Sequence, residues 1–317
     1  MGVEQPPRVG VLLREWRLRR KLSQLELALR ADTSSRHLSC VETGRARPSQ
    51  KMVLRLARHL DVPLRERNSL LMAAGYAPVY RERPLEGEDM RAVRAAVDML
   101  LEGHEPYPAV VVDRLWNVVR ANRAMGVLLD VAPPELLAPT PNAMRLALHP
   151  ESLPAYAIDY GEVRAYLLGG LAQQAHTTGD PALRALYEEV RAYEVPAHET
   201  PAPPQERGPR EAVVPMRFRT PYGELAMFSS IATFGAPADV TLSELAIELF
   251  FPMDERTERV LRGRGGRAGG SGVSGVPGAS GALGGAGGTG ELLVDAVDAV
   301  DAVDAAGAAG AVEGAGR

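Results

Sequence analysis

Cysteine is nearly absent from this sequence of 317 residues, which contains Cys40 alone. A single cysteine excludes an internal disulfide framework and is typical of a protein kept in a reducing compartment. No apolar run approaches the roughly 18 residues of a membrane span, and no signal peptide opens the chain. We therefore expect a soluble, cytoplasmic protein with no membrane partner.

Sequence signatures of enzymes are also absent. The six histidines are scattered, and no H-E-x-x-H, C-x-x-C, Walker A or G-x-S-x-G string occurs. The glycine-rich fragments after residue 263 follow no predicted strand and precede no predicted helix, so they are not a dinucleotide-binding fingerprint. We expect no catalytic residue, no metal site and no cofactor, which disfavours an enzyme.

Charge is unevenly distributed, although the whole chain carries only −4. Between Arg8 and Arg67 there are 15 Lys/Arg and six Asp/Glu, a net charge of +9 that leaves −13 for the remainder. Residues 8–67, which we call the basic head, are followed by an acidic remainder. This asymmetry indicates that only the basic head binds a polyanion. The alternative is that these arginines merely solvate helices, and the helix pattern described next favours nucleic acid.

The basic head contains a short helix with a strong start signal. Ser23 and Glu26 have the spacing of a capping box, in which each side chain satisfies a free backbone N–H. Leu25, Ala28 and Leu29 follow at helical spacing and are predicted to form one apolar stripe.

A second short helix follows a break at Asp32 and Thr33. Ser34 can cap it, Leu38 and Val41 are predicted to face inward, and Gly44 is predicted to end it. This leaves small polar and basic side chains outward, as a helix that enters a major groove requires. The outward residues are Ser35, Arg36, Ser39 and Cys40.

Three further helices are predicted around this pair. Residues 8–21 place Val9, Leu12, Leu13, Trp16 and Arg17 on one face. Residues 50–60 follow the cap Ser49, and residues 63–74 run from Pro63 to the stop at Gly75. The pattern therefore predicts a small all-α domain of five helices.

The strings LSQLELA, HLSCVETG and RPS, at fixed spacing within residues 8–77, resemble the XRE-type helix-turn-helix of lambda-like phage repressors. The longer string RHLSCVETGRARPSQKMVLRLARHLDVPLRERNSLLMAAGYAPVY is similar to bacterial XRE regulators with a C-terminal MmyB-like ligand-binding domain. The resemblance implies a lambda-repressor-like DNA-binding domain. Asp32 stands where the turn glycine is usual, and Cys40 stands where this subgroup usually has an aromatic residue.

The resemblance and the helix positions together predict the contacts with an operator. Arg36 is the candidate for a bidentate contact with guanine, worth about 1–3 kcal/mol of discrimination. His37 either contacts phosphate or packs at the helix start, and Cys40 is more simply a packing residue than a redox switch. In the resembling repressors an arginine and a glutamate at the positions of Arg17 and Glu42 form a structural ion pair. The predicted DNA-binding residues are Gln24, Ser34, Ser35, Arg36, His37, Ser39, Cys40, Arg45, Arg47 and Lys51, of which the last three are expected at phosphates and Gln24 at a phosphate or at the edge of the site.

Residues 78–88 combine prolines and charges and are predicted to be a linker. Residues 89–262 are predicted to begin with a helix whose apolar face is Val93, Ala96, Val97, Leu100 and Leu101. Two strands, over 109–112 and 116–120, follow around an Asp113-Arg114 turn, and helices are predicted over 122–130, 160–177 and 181–193. After a loop over 194–210, the pattern predicts a hairpin around Pro221-Tyr222-Gly223 and a closing strand in ELAIELFFPM. This order predicts an α+β domain with an antiparallel sheet.

The strings HEPYPAVVVDRLWNVVRAN and GELAMFSSIATFGAPADVTLSELAIELFFPMDERT resemble the MmyB-like domain. That resemblance implies a PAS-like fold and a small apolar ligand, with fatty acids as the leading type. Aromatic and aliphatic residues on the predicted sheet and on helix 160–177 either line a pocket or simply fill a core. The candidate pocket residues are Trp116, Val118, Tyr166, Leu167, Phe228, Ile231 and Phe234.

Residues 263–317 are predicted to be a disordered tail, because half of residues 263–290 are glycine and VDAVDAVDAVD builds no helix face. The whole sequence predicts a ligand-responsive transcription regulator that binds double-stranded DNA as a homodimer on an inverted repeat. Such a protein is expected to be nucleoid-associated. The alternative is a constitutive DNA-binding adaptor whose second domain binds a protein partner and no ligand. The absent enzyme signatures disfavour a third hypothesis, an enzyme fused to a DNA-binding head.

Overall fold

The computed structural model describes residues 9–158, 160–195 and 213–265. The first described residues form the predicted five-helix domain, which confirms the predicted all-α class of this part. Its helices are α1 (Val9–Arg19), α2 (Gln24–Arg30), α3 (Ser35–Glu42), α4 (Gln50–His59) and α5 (Leu64–Ala73).

The ends of these helices are set by local chemistry. Ser23 accepts from the backbone N–H of Glu26 at 3.1 Å, and the Glu26 carboxylate accepts from the Ser23 N–H at 2.7 Å, which is the predicted capping box. Ser34 caps α3, and Gly44 follows its end with a φ of 73° that favours glycine. Asp32, which stands where the turn glycine is usual, adopts a left-handed φ of 45° in the turn between α2 and α3.

The core of the five-helix domain differs from the prediction in α2. Leu25 and Leu29 are 58% and 71% exposed, whereas Leu27, Ala28 and Ala31 are buried. The sequence contains two overlapping apolar stripes, and contact with α3 and α4 selects the second of them. The predicted inward residues Leu13, Trp16, Leu38 and Val41 are buried, and Leu12 is half-buried. The core also contains Val53, Leu56, Leu70 and Leu71.

The predicted linker is anchored at both ends. Asn68 of α5 donates to the Tyr80 carbonyl at 2.7 Å and accepts from the Tyr80 N–H at 3.1 Å. Further along, Arg83 pairs with the buried Asp239 at 3.0 Å, and Leu85 is buried in the core of the second domain. The segment is therefore packed against both domains.

The second domain is built on one antiparallel sheet, which confirms the predicted α+β class. Its strands lie in the order β2-β1-β6-β5-β4-β3, and each neighbouring pair is antiparallel. The strands are β1 (Ala109–Val112), β2 (Val118–Ala121), β3 (Ala157–Ile158), β4 (Met216–Thr220), β5 (Gly223–Thr233) and β6 (Ala246–Pro252). The helices are α6 (Arg91–Gly103), α7 (Gly126–Leu129), α8 (Pro134–Leu137), α9 (Ala143–Leu148), α10 (Tyr160–Thr178), α11 (Pro181–Arg191), α12 (Val240–Ser243) and α13 (Glu255–Gly265).

Strand alternation gives the sheet two buried faces. One face, which we call the cavity face, packs on α9, α10 and α11 through residues such as Val110, Phe218, Met227 and Phe250. The opposite face packs on α6 through Ala109, Val111, Ile247 and Leu249. None of the helices described here is long and apolar enough to cross a membrane.

Several predicted details of this domain are wrong. Trp116 lies in a turn with a φ of 65°, so β2 begins two residues later than predicted. On α6, Ala96 and Leu100 are exposed, and Val97 and Leu101 are the buried residues. The short strand β3 was not predicted, and α13 extends past the predicted start of the tail. The predicted loop after residue 195 and the predicted tail after residue 265 lie outside the described residues.

Candidate DNA-binding surface and ligand cavity

Helix α3 presents its polar side outward. Ser35 and Arg36 are exposed, and His37, Ser39 and Cys40 are half-buried. The opposite side is fixed in the core, because Leu38 and Val41 are each only 1% exposed. An exposed arginine at the start of a helix held in this way has the geometry of a base-reading residue.

The C-terminal end of α3 is held by a buried ion pair. Arg17 donates to Glu42 from Nε at 2.6 Å and from Nη2 at 2.8 Å. These hydrogen bonds raise the pKa of Arg17, although burial acts in the other direction. Gln24 also donates to Glu42 at 2.8 Å, so the amide predicted to contact phosphate is used within the protein.

Close packing between α1 and α3 supports the same arrangement. A Cβ placed on Gly10 would lie 2.2 Å from the carbonyl oxygen of Val41. Only glycine allows α1 to approach the last turn of α3 this closely.

Of the three cations predicted at phosphates, two have contacts within the domain. The Arg47 guanidinium donates to the Ala74 carbonyl at 2.9 and 3.2 Å and lies over the Tyr76 ring. It therefore satisfies a backbone carbonyl at the C-terminal end of α5. Arg45 donates to the Thr43 hydroxyl at 3.0 Å, and Lys51 is exposed on α4. Their contacts with DNA remain predictions.

A cavity of about 60 Å³ lies between the cavity face of the sheet and the helices that cover it. Its lining is almost entirely apolar. The lining residues include Val110, Val118, Met125, Leu128, Met144, Leu153, Tyr160, Val163, Leu167, Met216, Phe218, Glu248 and Phe250.

Two of the seven predicted pocket residues, Val118 and Leu167, line this cavity. The other five do not, for different reasons. Phe228 stacks on Phe251 and Phe234 packs with the α6 cluster, both on the opposite face of the sheet. Tyr166 is 57% exposed and Ile231 is 49% exposed. Trp116 packs at the edge of the core, where its indole N–H donates to Gln174 at 2.8 Å.

Glu248 is the unexpected member of the cavity lining. It is half-buried on β6, and burial raises the pKa of its carboxyl, although a hydrogen bond with the Ser229 side chain partly offsets this. The sequence pattern contained a signal for it, because Ala246, Glu248 and Phe250 alternate on one face of the strand.

A chain of ion pairs joins the two domains. Arg65 of α5 donates to Glu244 at 2.7 and 2.9 Å and to Glu82 of the linker at 3.0 Å. Arg114, in the turn after β1, lies 3.9 Å from Glu244 and also pairs with Asp180, the cap of α11. Glu244 thus links α5 to the second domain.

The C-terminal end of α10 contacts the five-helix domain beside these ion pairs. Arg19, the last residue of α1, donates to the Thr178 carbonyl at 3.5 Å, and Arg20, the next residue, donates to the Thr177 carbonyl at 3.5 Å. Cations at the C-terminus of a helix interact favourably with its dipole. Gly179, which follows the end of α10, has a φ of 68° that favours glycine.

Within the residues that the structure describes, no three His, Cys, Asp or Glu side chains group together as a metal site.

Two known families match the chain. The MmyB-like transcription regulator ligand binding domain matches residues 93–263, which is more than half of the chain, and a helix-turn-helix family matches residues 13–67. No curated protein matches.

Two solved structures are also similar. The PAS domain from Bordetella pertussis BvgS shares 15% identity, with coverage of 55% of this chain and 96% of that one. An RNA-binding Light-Oxygen-Voltage receptor shares 13% identity, and the match covers 81% of this chain but only 62% of that one. Both have TM-scores of 0.25, so neither supports an argument about this chain.

Proposed function

We propose, since the chain belongs to the MmyB-like transcription regulator family, that an apolar ligand in the cavity controls how its helix-turn-helix binds an operator. The two matched domains make the chain a DNA-binding transcription regulator with a ligand-binding domain. The apolar lining supports an alkyl-chain ligand of the fatty-acid type.

The course of α10 is the observation that carries this proposal. Val163 and Leu167, in its first half, line the cavity. The carbonyls of Thr177 and Thr178, at its end, accept from Arg20 and Arg19 at the C-terminal end of α1 in the DNA-binding domain. From Val163 to Thr177 the helix spans about 21 Å. A displacement of α10 at the cavity would therefore act on the DNA-binding domain directly.

The size of the cavity gives a reason for such a displacement. A volume of about 60 Å³ accommodates only a few water molecules. An alkyl chain therefore requires the lining side chains, including those of α10, to move outward. A ligand that binds the expanded state more tightly shifts the population toward that state.

The operator contacts are proposed to come from two copies of the chain. One helix-turn-helix reads a single half-site in the major groove, so a homodimer would read an inverted repeat. Arg36 is proposed as the base-reading residue of each half-site, with Ser35, Ser39 and Cys40 beside it. Ligand binding would change the relative placement of the two DNA-binding domains.

Native mass spectrometry of the full chain, followed by solvent extraction, tests for a bound ligand. DNA selected from a random pool then supplies the operator, and its affinity is measured before and after delipidation. We expect a stoichiometric apolar molecule and an affinity change of about 5-fold or more, which is typical of allosteric coupling.

The variant Val163→Phe fills the cavity and should abolish the response to delipidation. Tyr166→Ala alters an exposed residue on the same helix and should retain that response. Absence of any bound apolar molecule, together with an operator affinity that delipidation leaves unchanged, would instead support the constitutive adaptor.

A further inference from the structure

Glu248 lies on the cavity face of the sheet, where the cover of helices ends. Phe250, two residues along β6, lines the cavity and is buried. Ile231 is paired with Glu248 across β5, so it lies on the same face, and it is 49% exposed. An amphiphile whose tail fills the cavity can therefore leave its polar head beside Glu248.

The ionisable side chains among the described lining residues are Tyr160, Arg217 and Glu248. The Tyr160 hydroxyl donates to the Leu148 carbonyl at 3.3 Å, so it has a partner within the protein. Strand alternation directs the exposed Arg217 side chain to the side of the sheet opposite Phe218. Among these lining residues, Glu248 is thus the one charged group that faces the cavity.

The strands on either side of Glu248 surround its carboxyl group with mostly apolar side chains. Val110 on β1 and Ile231 on β5 lie directly beside it. The Ser229 hydroxyl, diagonally across on β5, is its hydrogen-bond partner. Burial in these surroundings raises the pKa of the carboxyl, so its neutral form is favoured.

A neutral carboxyl group donates one hydrogen bond through its proton. A carboxylate is a strong acceptor for that proton, because a hydrogen bond to an ionised group is about twice as strong as one between neutral groups. Two carboxyl groups in one site do not both ionise, so such a pair keeps one shared proton. The anionic head of a fatty acid therefore fits this site as long as Glu248 carries a proton.

We propose that Glu248 binds the carboxylate head of a fatty-acid ligand by sharing one proton with it, so that the affinity for the ligand falls as the pH rises. This proposal rests on the proposed function, because it names the head-group partner of the ligand in the same cavity. The proton lies between one oxygen of the ligand and one oxygen of Glu248. Where both separated carboxyl groups are ionised, formation of the complex takes up that proton from solution.

Binding of decanoate to the delipidated full chain, measured by isothermal titration calorimetry between about pH 6 and pH 9, tests the shared proton. The free ligand is ionised over this range, because the pKa of an ordinary carboxyl is about 4. A complex that holds one more proton than its separated parts weakens by up to about 10-fold per pH unit. We therefore expect decanoate to bind at least about 10-fold more weakly at the alkaline end of the range.

Two buffers with different enthalpies of ionisation give the number of protons that accompany binding. At alkaline pH this number should approach one proton taken up for each decanoate bound. A residue that only supports the fold would not produce this uptake.

Glu248→Gln retains a hydrogen-bond donor for the ligand carboxylate, but it cannot gain or lose a proton. It should therefore bind decanoate with a nearly constant affinity over the same pH range and without proton uptake. Glu135→Gln neutralises an exposed glutamate of α8 that does not line the cavity, and it should keep the pH dependence of the natural chain. Thermal melts at each pH verify that the variants are folded.

The outcomes keep this proposal separate from the proposed function. A constant affinity for decanoate in the natural chain would overturn the role of Glu248 and leave an alkyl-chain ligand standing. A pH dependence that persists in Glu248→Gln would overturn it as well, because another group would then hold the proton. Binding of decanol without binding of decanoate would also overturn this proposal alone. If neither decanoate nor decanol binds, the proposed alkyl-chain ligand fails together with it.

Discussion

Arg17 and Glu42 form a two-point ion pair inside the DNA-binding domain, with side chains only 8% and 1% exposed. They lie 25 residues apart and join α1 to the last turn of α3. The pair fixes the position of α3 relative to the rest of the domain. A helix that reads bases needs such support, because small errors in position remove bidentate contacts.

Replacing Arg17 by Met should therefore destabilise the DNA-binding domain strongly. The substitution leaves the Glu42 carboxylate buried without its charged partner, which typically costs about 3–5 kcal/mol. Urea denaturation monitored by circular dichroism measures the loss. The matched control is Glu88→Gln, which removes an exposed ion pair with Arg91 and should change stability little. An equal effect of both changes would contradict the structural role of the buried pair.

Arg36→Ala should remove discrimination between operator sequences and leave weak, salt-sensitive binding. A bidentate contact with guanine is worth about 1–3 kcal/mol, which corresponds to roughly 5-fold to 150-fold in relative affinity. Fluorescence anisotropy with the selected operator and a scrambled duplex gives this ratio. Arg58→Ala removes the same charge from an exposed position on α4 and should lower the affinities for the operator and for the scrambled duplex equally. Discrimination that survives in Arg36→Ala would mean that α3 does not read the operator through this residue.

Glu244→Gln should uncouple the two domains. Its carboxylate accepts two hydrogen bonds from Arg65 and lies near Arg114, so its neutralisation weakens contacts from both domains at once. We expect calorimetric unfolding to separate into two transitions and the effect of delipidation on operator affinity to shrink. Glu188→Gln, in an exposed pair with Arg191, is the comparison. A single unchanged transition would show that Glu244 does not couple the domains.

The stability of the second domain should depend on pH through Glu248. Burial raises the pKa of this carboxyl in the folded chain above its unfolded value. Its stabilising contribution is then complete below the unfolded pKa and is lost as the pH rises through the folded pKa. Glu248→Gln carries no titrating group, so its stability relative to the natural chain should increase as the pH rises.

Glu189 provides a control of opposite sign for that experiment. Its hydrogen bonds with Arg145 lower the pKa of the Glu189 carboxyl, so its contribution is present above the unfolded pKa and is lost as the pH falls. Glu189→Gln should therefore cost most stability near neutral pH. Urea unfolding of both variants at a series of acidic pH values gives the slope of the free energy of unfolding against pH for each. Parallel slopes for the two variants would contradict the opposite pKa shifts.

Local sequence signals predicted the secondary structure well where the chemistry is local. The Ser23–Glu26 box, the Ser34 cap and the glycine after α3 each depend on residues within four positions, and all are present. Leu25 and Leu29 were assigned to the core wrongly, because helix periodicity alone cannot choose between two stripes that share Ala28. Contact with neighbouring helices makes that choice.

The cavity was predicted less well, since the side of the sheet on which a residue lies depends on strand register. Phe228 and Phe234 are large and apolar, but Leu225 and Met227 occupy the alternate positions that face the cavity helices. The link between Arg65 and Glu244 spans 179 residues and has no local signal at all. Only the folded chain brings these two charges together.

The anchored linker has a further consequence for the proposed dimer on DNA. A flexible tether would let each DNA-binding domain search a volume set by chain length, and the second half-site would be found over a range of spacings. Here Asn68 and Arg83 fix the segment at both ends, so in each ligand state the fold, and not the length of a free tether, sets the reach of each domain. Inserting about five base pairs between the half-sites turns one of them to the far side of the duplex. Such an operator would lose the cooperative gain from the second copy, and its affinity would fall toward that of a single half-site.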